Sequence, residues 1–181
     1  MLVANLNARN DQLRREASTL ERELATLTAN QSRGDASVDE IAADLQRVRA
    51  YAGLVPVSGP GVTIAIHGPI DGDGVEELIN ELRNAGAEAI TVDGVRIVTG
   101  VVVAGAAGAL AVENHAIGDA FEIRAIGSPQ ILTGTLTRTG GVIAQLLATY
   151  PGTQLTVAPV EQQTFPATDR SLVPSHGQPR L

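Results

Sequence analysis

The chain carries three histidines, at positions 67, 115 and 176, and no cysteine. Thiol nucleophiles, disulfides and thiolate metal sites are thereby excluded. His67 opens the run His67-Gly68-Pro69-Ile70-Asp71-Gly72-Asp73-Gly74, in which an imidazole and two carboxylates could converge on a hard cation. A calcium loop of the EF type needs oxygens at its first, third, fifth and twelfth positions and glycine at its sixth. Counted from Asp71, the fifth residue is Val75, the sixth Glu76 and the twelfth Leu82. The spacing fails, and turn and helix-cap roles are expected for the aspartates. The same glycines suggest a phosphate cradle, but Asp71 and Asp73 would repel phosphate and no lysine follows. Gly105-Ala106-Ala107-Gly108 mimics the opening of a dinucleotide fingerprint without its third glycine or a helix of sufficient length. Glu113, His115 and Asp119 are the other grouping of a histidine with acids, and a surface turn accounts for them. Ser128 stands before Pro129 and reads as a helix cap. Glu76 and Glu77 read as solvated helix positions. No catalytic, cofactor-binding or metal-ligating residue is assigned, no cofactor is expected, and the chain reads as not being an enzyme.

The elements that would position such residues follow from composition. At 181 residues, 44% hydrophobic and 2% aromatic, the chain is too apolar for overall disorder and suits one domain with extensions. All 13 basic residues are arginine, the pattern of a high-GC genome, against 20 acids. The charge divides unevenly. Residues 1–55 hold seven arginines and eight acids, residues 56–160 four and ten, and residues 161–181 two and two. An acidic central region poor in stacking side chains excludes a nucleic-acid surface. The same boundaries separate a Leu/Arg/Glu-rich part, a Val/Ile/Gly/Ala-rich part and a Pro/Ser/Thr/Gln-rich part. They define a stem over 1–55, a globular domain over 56–160 and an extended or disordered tail over 161–181.

The stem shows a heptad seam. Val3, Asn10, Ala17 and Leu24 occupy a positions, and Leu6, Leu13, Leu20 and Leu27 occupy d positions. Val38, Ile41, Leu45 and Val48 continue in the same frame. An apolar repeat of about 3.5 residues calls for a supercoiled partner, so a homo-oligomer through the stem is expected. Gln31 and Gly34 interrupt the seam. One reading is a single long helix weakened there, and the other is two helices, the second capped by Asp35 or Ser37. The retained phase favours the continuous form. A third possibility packs the helix on its own globular domain. Asn10 at an a position favours a parallel dimer, whereas Arg9 with Arg14 and Glu16 with Glu21 would repel in one, so strand number and direction stay open. The register is already running at Val3 without a cap before it. This suggests that the natural chain continues upstream, with any membrane contact made by a segment absent here. Within the chain, the longest uncharged run, Ile97 to Val112, falls short of the ~20 residues of a spanning helix.

After the breaker stretch Tyr51 to Gly61, the domain reads as a strand over 62–66 and a helix carrying Val75, Leu78, Ile79, Leu82 and Ala85, stopped by Gly86. Ile90 and Val92 lead to Asp93-Gly94, a two-residue hairpin signal, and Val95 to Val98 returns. Further strands are expected over 101–104, 109–113 and 121–126. Helices then follow from Pro129 and over 142–148, and a strand over 154–158 closes the domain. The fold class is α+β: an N-terminal coiled-coil helix followed by a two-layer mixed sheet with helices on one face, an elaborated ferredoxin-like arrangement.

Several of these runs also carry a family resemblance. Pro56 to Ile64, Leu78-Ile79-Asn80-Glu81-Leu82-Arg83-Asn84-Ala85-Gly86-Ala87-Glu88-Ala89-Ile90, Asp93 to Ile97, Phe121 to Gly127 and Gly140-Gly141 together resemble the bacterial domain-of-unknown-function 881 family over nearly the whole chain. That family usually has Asn-Gly where this chain has Asp93-Gly94, and a later Asn-Gly where this chain has Asn114-His115. The resemblance implies a transmembrane helix leading into the coiled coil and an association with cell-division or cell-envelope genes, with no activity to carry over. The expected function is a non-enzymatic interaction or scaffold module of the bacterial cell envelope, with the domain outside the membrane and an envelope protein as partner. The alternative is a small-ligand-sensing ferredoxin-like domain, since such sheets often bind metabolites between copies.

Overall fold

A computed structural model of the chain describes residues 2–29 and 35–171, with side chains described over 13–28 and 38–171. The chain divides into two compact units, one containing the stem and the other running from Pro56 to Pro166. The stem holds α1 (Leu2–Ala29) and α2 (Asp35–Tyr51), which pack against each other. The continuous helix favoured by the seam's phase is therefore replaced by two helices of one chain folded together. A heptad stripe repeats identically whether a second chain covers it or the same chain does, so periodicity could not separate the two. Gln31 and Gly34 lie outside the described residues, as do the side chains of Val3, Leu6, Asn10, Asp35 and Ser37.

The second unit begins with β1 (Val57–His67) and α3 (Gly72–Asn84), followed by β2 (Ala89–Val92) and β3 (Val95–Arg96). Then come β4 (Val103–Ala104), β5 (Leu110–Val112), β6 (His115–Ile117) and β7 (Ala120–Ile126). Two helices, α4 (Pro129–Thr137) and α5 (Val142–Thr149), precede β8 (Gln154–Phe165). The main sheet has the order β3-β2-β7-β1-β8, and a second sheet has the order β4-β5-β6. Every strand pairing is antiparallel, which corrects the mixed sheet expected from the sequence. The reason lies in the crossover. The connection through α3 makes β1 and β2 run the same way, but β7 enters between them and pairs antiparallel with both.

Alternation along the strands builds the core. Val62, Ile64 and Ile66 of β1 stand opposite Ala125, Ile123 and Phe121 of β7, and all six are buried. Over them lie Val75, Leu78, Ile79 and Leu82 of α3, Leu132 and Leu136 of α4, and Ile143 and Leu146 of α5, each at most 9% exposed. The α3 spacing that identified the helix in the sequence is thus its buried face. Its start is capped by Asp71, whose carboxylate accepts the Gly74 N–H at 3.0 Å. Ser128 caps α4 in the same way, with Pro129 in the first turn. Asp93 and Gly94 both take positive φ, as a type I′ hairpin requires.

The strands read over 95–98 and 101–104 are shorter, β6 is one the sequence reading lacks, and two strands run further than it has them. β1 starts at Val57 inside the expected breaker stretch, because its register with β8 shifts between Gly59 and Gly61 and so absorbs Pro60. β8 continues to Phe165, past the expected domain end at 160 and into the expected tail. Its polar Glu161-Gln162-Gln163-Thr164 run hides one inward residue, Gln163 at 4% exposed, and Phe165 just after it is 0% exposed. The tail residues 172–181, His176 among them, lie outside the described residues.

Candidate functional site

Two polar assemblies stand out in the second unit. The first joins the loop after β1 to the end of α5. Tyr150 donates its hydroxyl to the Asp71 carboxylate at 2.5 Å, and the Thr153 hydroxyl donates to the Pro69 carbonyl at 2.5 Å. A Cβ at Gly74 would stand 2.8 Å from the Tyr150 ring, so the glycine is what lets the ring close over the first turn of α3. The Tyr150 hydrogen bond, followed by the Gly74 N–H, holds the Asp71 carboxyl below its ordinary range. In return the bond to Asp71, aided by desolvation and by the charges of Asp71, Asp73 and Glu77, pushes the Tyr150 phenol up to about 12. A carboxylate satisfied in this way caps a helix and latches α5 to it. It offers neither a free base nor a cation ligand.

The second assembly lies on the sheet face opposite the helices. Cross-strand pairing places Arg96, Thr91, Arg124 and Thr63 in one row over β3, β2, β7 and β1. Phe165 lies under two guanidiniums of that row, 5.3 Å from Arg124 and 6.0 Å from Arg96. Arg124 Nε donates to Gln163 Oε1 at 3.3 Å, and Gln163 Nε2 donates across β1 to the Ala125 carbonyl at 2.6 Å. That reach depends on Gly61, where an added Cβ would stand 1.8 Å from the Ala125 oxygen and 2.5 Å from Gln163 Nε2. Arg96 donates to the Pro166 carbonyl at 3.3 Å, and burial lowers the pKa of its guanidinium. The Thr91 hydroxyl, between the two arginines, is buried without a hydrogen-bond partner. Ala89, Ile126 and Phe165 form the apolar part of this clamp, with Val57 against them. Sequence reading missed it entirely, because its members come from four separate stretches of chain, over 57–63, 89–96, 124–126 and 163–166.

The residues singled out from sequence are scattered. His67 ends β1 exposed, opposite Ala120 and Gln154. Asp73 lies in the first turn of α3. Glu76 accepts the Val103 N–H at 3.0 Å and so caps the edge of the small sheet, whereas Glu77 is solvated as expected. His115 faces Asp93 at 3.2 Å, across the β2–β3 turn, rather than joining Glu113 and Asp119 as one cluster. Gly105 and Gly108 lie in the β4–β5 connection, followed by a strand. The Asn114-His115 departure resolves into a two-residue turn one position earlier, Glu113-Asn114, with Glu113 at positive φ. Among the described residues, no group of three or more His, Asp and Glu side chains could hold a metal ion. In the stem, Leu13, Ala17, Leu20, Leu24 and Leu27 of α1 and Val38, Ile41 and Val48 of α2 are half-buried, and Leu45 is buried.

A family model described as a bacterial protein of unknown function, DUF881, matches residues 44–177. The chain belongs to the DUF881 family. UPF0749 protein Rv1825 of Mycobacterium tuberculosis is 33% identical over 148 residues, covering 78% of this chain and 51% of its own. UPF0749 protein Rv1823 of the same species is 29% identical over 155 residues, covering 74% and 50%. This DUF881 chain thus spans about half the length of the curated relatives it matches. A crystal structure of an uncharacterized conserved protein from M. tuberculosis superimposes with a TM-score of 0.67 at 28% identity, covering 76% of this chain and 99% of that one. None of these names carries an activity. Among the described residues, no helix is long and apolar enough to cross a membrane.

Proposed function

We propose that this DUF881 chain is a non-enzymatic interaction module of the bacterial cell envelope, which self-associates through its coiled-coil stem and presents the sheet domain to an envelope protein. The observation that carries the reading is the stem seam, whose heptad repeat runs along both helices and is only partly buried at eight of its nine described residues. Two features of the second unit support it. Asp71 and Tyr150 are spent on each other, and Arg124 and Gln163 on Phe165 and the Ala125 carbonyl, so the strongest polar groups hold the fold together. The order β2-β7-β1-β8, with α3 and α4–α5 in the two connections, supports reading the domain as an elaborated ferredoxin-like arrangement with the three-stranded sheet inserted before β7. Tethering to the membrane would come from a segment outside this chain. Light scattering on the full chain tests the self-association. A mass at least twice the 18.7 kDa of one chain is expected, and a mass of one chain at every concentration would sink the reading.

A further inference from the structure

We infer that the Asp93-Gly94 turn is a modification site, at which the aspartate isomerises through a cyclic imide to isoaspartate. The chemistry is open in principle to any Asp-Gly pair. The glycine nitrogen, once deprotonated, attacks the side-chain carboxyl carbon and forms an N–Cγ bond, and one carboxyl oxygen leaves as water. A second water then opens the five-membered ring. Attack at the side-chain carbon restores aspartate. Attack at the former main-chain carbonyl breaks that carbon's bond to nitrogen, so the chain runs on through Cβ and Cγ and the old carbonyl becomes a free carboxylate. One water is released and one consumed, and nothing else is required.

The chain holds three Asp-Gly pairs, at 71–72, 73–74 and 93–94, and the fold treats their attacking nitrogens differently. The Gly72 N–H donates to the Gly105 carbonyl at 2.9 Å, and the Gly74 N–H to the Asp71 carboxylate at 3.0 Å. Among the described residues, no hydrogen bond uses the Gly94 N–H. Space divides them in the same way. A Cβ added at Gly72 would stand 2.8 Å from Ala104, and one at Gly74 2.8 Å from the Tyr150 ring, whereas at Gly94 it would meet nothing within 4 Å. The backbone favours the third pair as well. A near-planar imide eclipses Cβ with the ring nitrogen and so fixes ψ of the aspartate at about −120°, the value of the first central residue of a type II′ turn. Asp93 already has the positive φ of that turn, at 48°, so a flip of the one peptide between Asp93 and Gly94 converts I′ into II′, and glycine accepts the change. Asp71, at φ −100°, and Asp73, within α3, lack this route. The Asp93 side chain is 38% exposed and meets His115 through one oxygen, while Asp71 is engaged by Tyr150 and Gly74. Isomerisation adds a main-chain atom to a two-residue hairpin loop, so it breaks the register of β2 with the two-residue β3 and carries Arg96 out of place.

Ageing the full chain at neutral pH, folded and in urea, tests the assignment. Cleavage after arginine separates residues 84–96, which carry Asp93, from residues 50–83, which carry Asp71 and Asp73. Isoaspartate is measured by enzymatic methyl transfer from S-adenosylmethionine to the new carboxylate and located by electron-transfer fragmentation. All three pairs should react in urea. Folding should slow Asp71 and Asp73 by at least about tenfold, because their nitrogens are released only by local opening, and Asp93 by less than about threefold. Asp93→Asn, which reaches the same imide with ammonia leaving, should convert faster in the folded chain. Asp93→Glu, which would need a six-membered ring, should leave 84–96 unmodified. Folding that protects Asp93 as strongly as the other two, or a folded chain without isoaspartate in 84–96, overturns the assignment, as does an Asp93→Asn chain that stays intact.

Discussion

The two faces of the main sheet are closed by different physics. Beneath the helices, Val62, Ile64, Ile66 and Ile123 meet Leu78, Ile79 and Leu82 in a layer where all seven are fully buried and no polar group intervenes. On the other face, burial is just as complete at Phe165 and nearly so at Thr91, Arg96 and Gln163, yet three of these four carry polar side chains. The apolar face gains from area removed from water and tolerates rearrangement. The polar face depends on the directed hydrogen bonds of Arg96, Arg124 and Gln163, and one of them passes through the space that Gly61 leaves beside β1. The lesson is that an edge strand such as β8 can be held by side chains reaching past its neighbour, and not by its ladder alone.

Gly61→Ala is the sharpest way to break that contrast. The new Cβ would meet the backbone oxygen of Ala125, which cannot move without parting β1 from β7. A loss of about 4 kcal/mol or more is expected, enough to unfold a domain of ordinary stability. Urea denaturation showing a loss under 1 kcal/mol would mean that the clamp is not held through this gap. On the apolar face, Leu78→Ala should cost about 3 kcal/mol by leaving a cavity under α3. Gln163→Ala should cost about 2 kcal/mol, by leaving the Ala125 carbonyl without the Gln163 amide and Arg124 Nε with only the Glu122 carboxylate, 3.7 Å away. If Gln163→Ala proves as harmless as an exposed substitution, the second face is held by Phe165 alone and the comparison collapses.

The apolar face was legible in the sequence and the polar face was not, for a reason of range. Val75, Leu78, Ile79 and Leu82 announce a buried helix face because their spacing is local, and Asp93-Gly94 announces its hairpin because a turn is a property of adjacent residues. Arg96, Thr91 and Arg124 become neighbours only through the registers of β2 with β3 and with β7, and those strands are joined across a separate three-stranded sheet. Gly61 reads as a breaker for the same reason. What requires a glycine there is an oxygen 64 positions along the chain. The stem marks a different limit. Its repeat correctly demands a cover, but Leu24 is spaced identically from its seam neighbours whether the cover is α2, a second copy or both.

The smallest effect sharpens the contrast through pH. The clamp is held by guanidinium, amide and carbonyl groups, whereas the helix-side latch between Tyr150 and Asp71 titrates at both ends. Tyr150→Phe should cost about 1 kcal/mol at neutral pH, the net value of one hydrogen bond to a charged, solvent-accessible acceptor. The dependence on pH follows from the two partners. Asp71 is held below its ordinary 3.8, so its contribution is present above that value and fades as acid protonates the carboxylate in the folded state. Tyr150 is raised from 10.0 to about 12, so its contribution is intact below 10.0 and fades as the phenol ionises towards the folded value. The difference in stability between the parent and Tyr150→Phe should therefore be flat across neutral pH and shrink at both extremes, while the difference for Gln163→Ala stays level until the fold itself fails. A Tyr150→Phe difference that persists undiminished in acid would assign the tyrosine's role to its ring packed on Gly74 rather than to its hydroxyl, and the helix layer would then be apolar even at its rim.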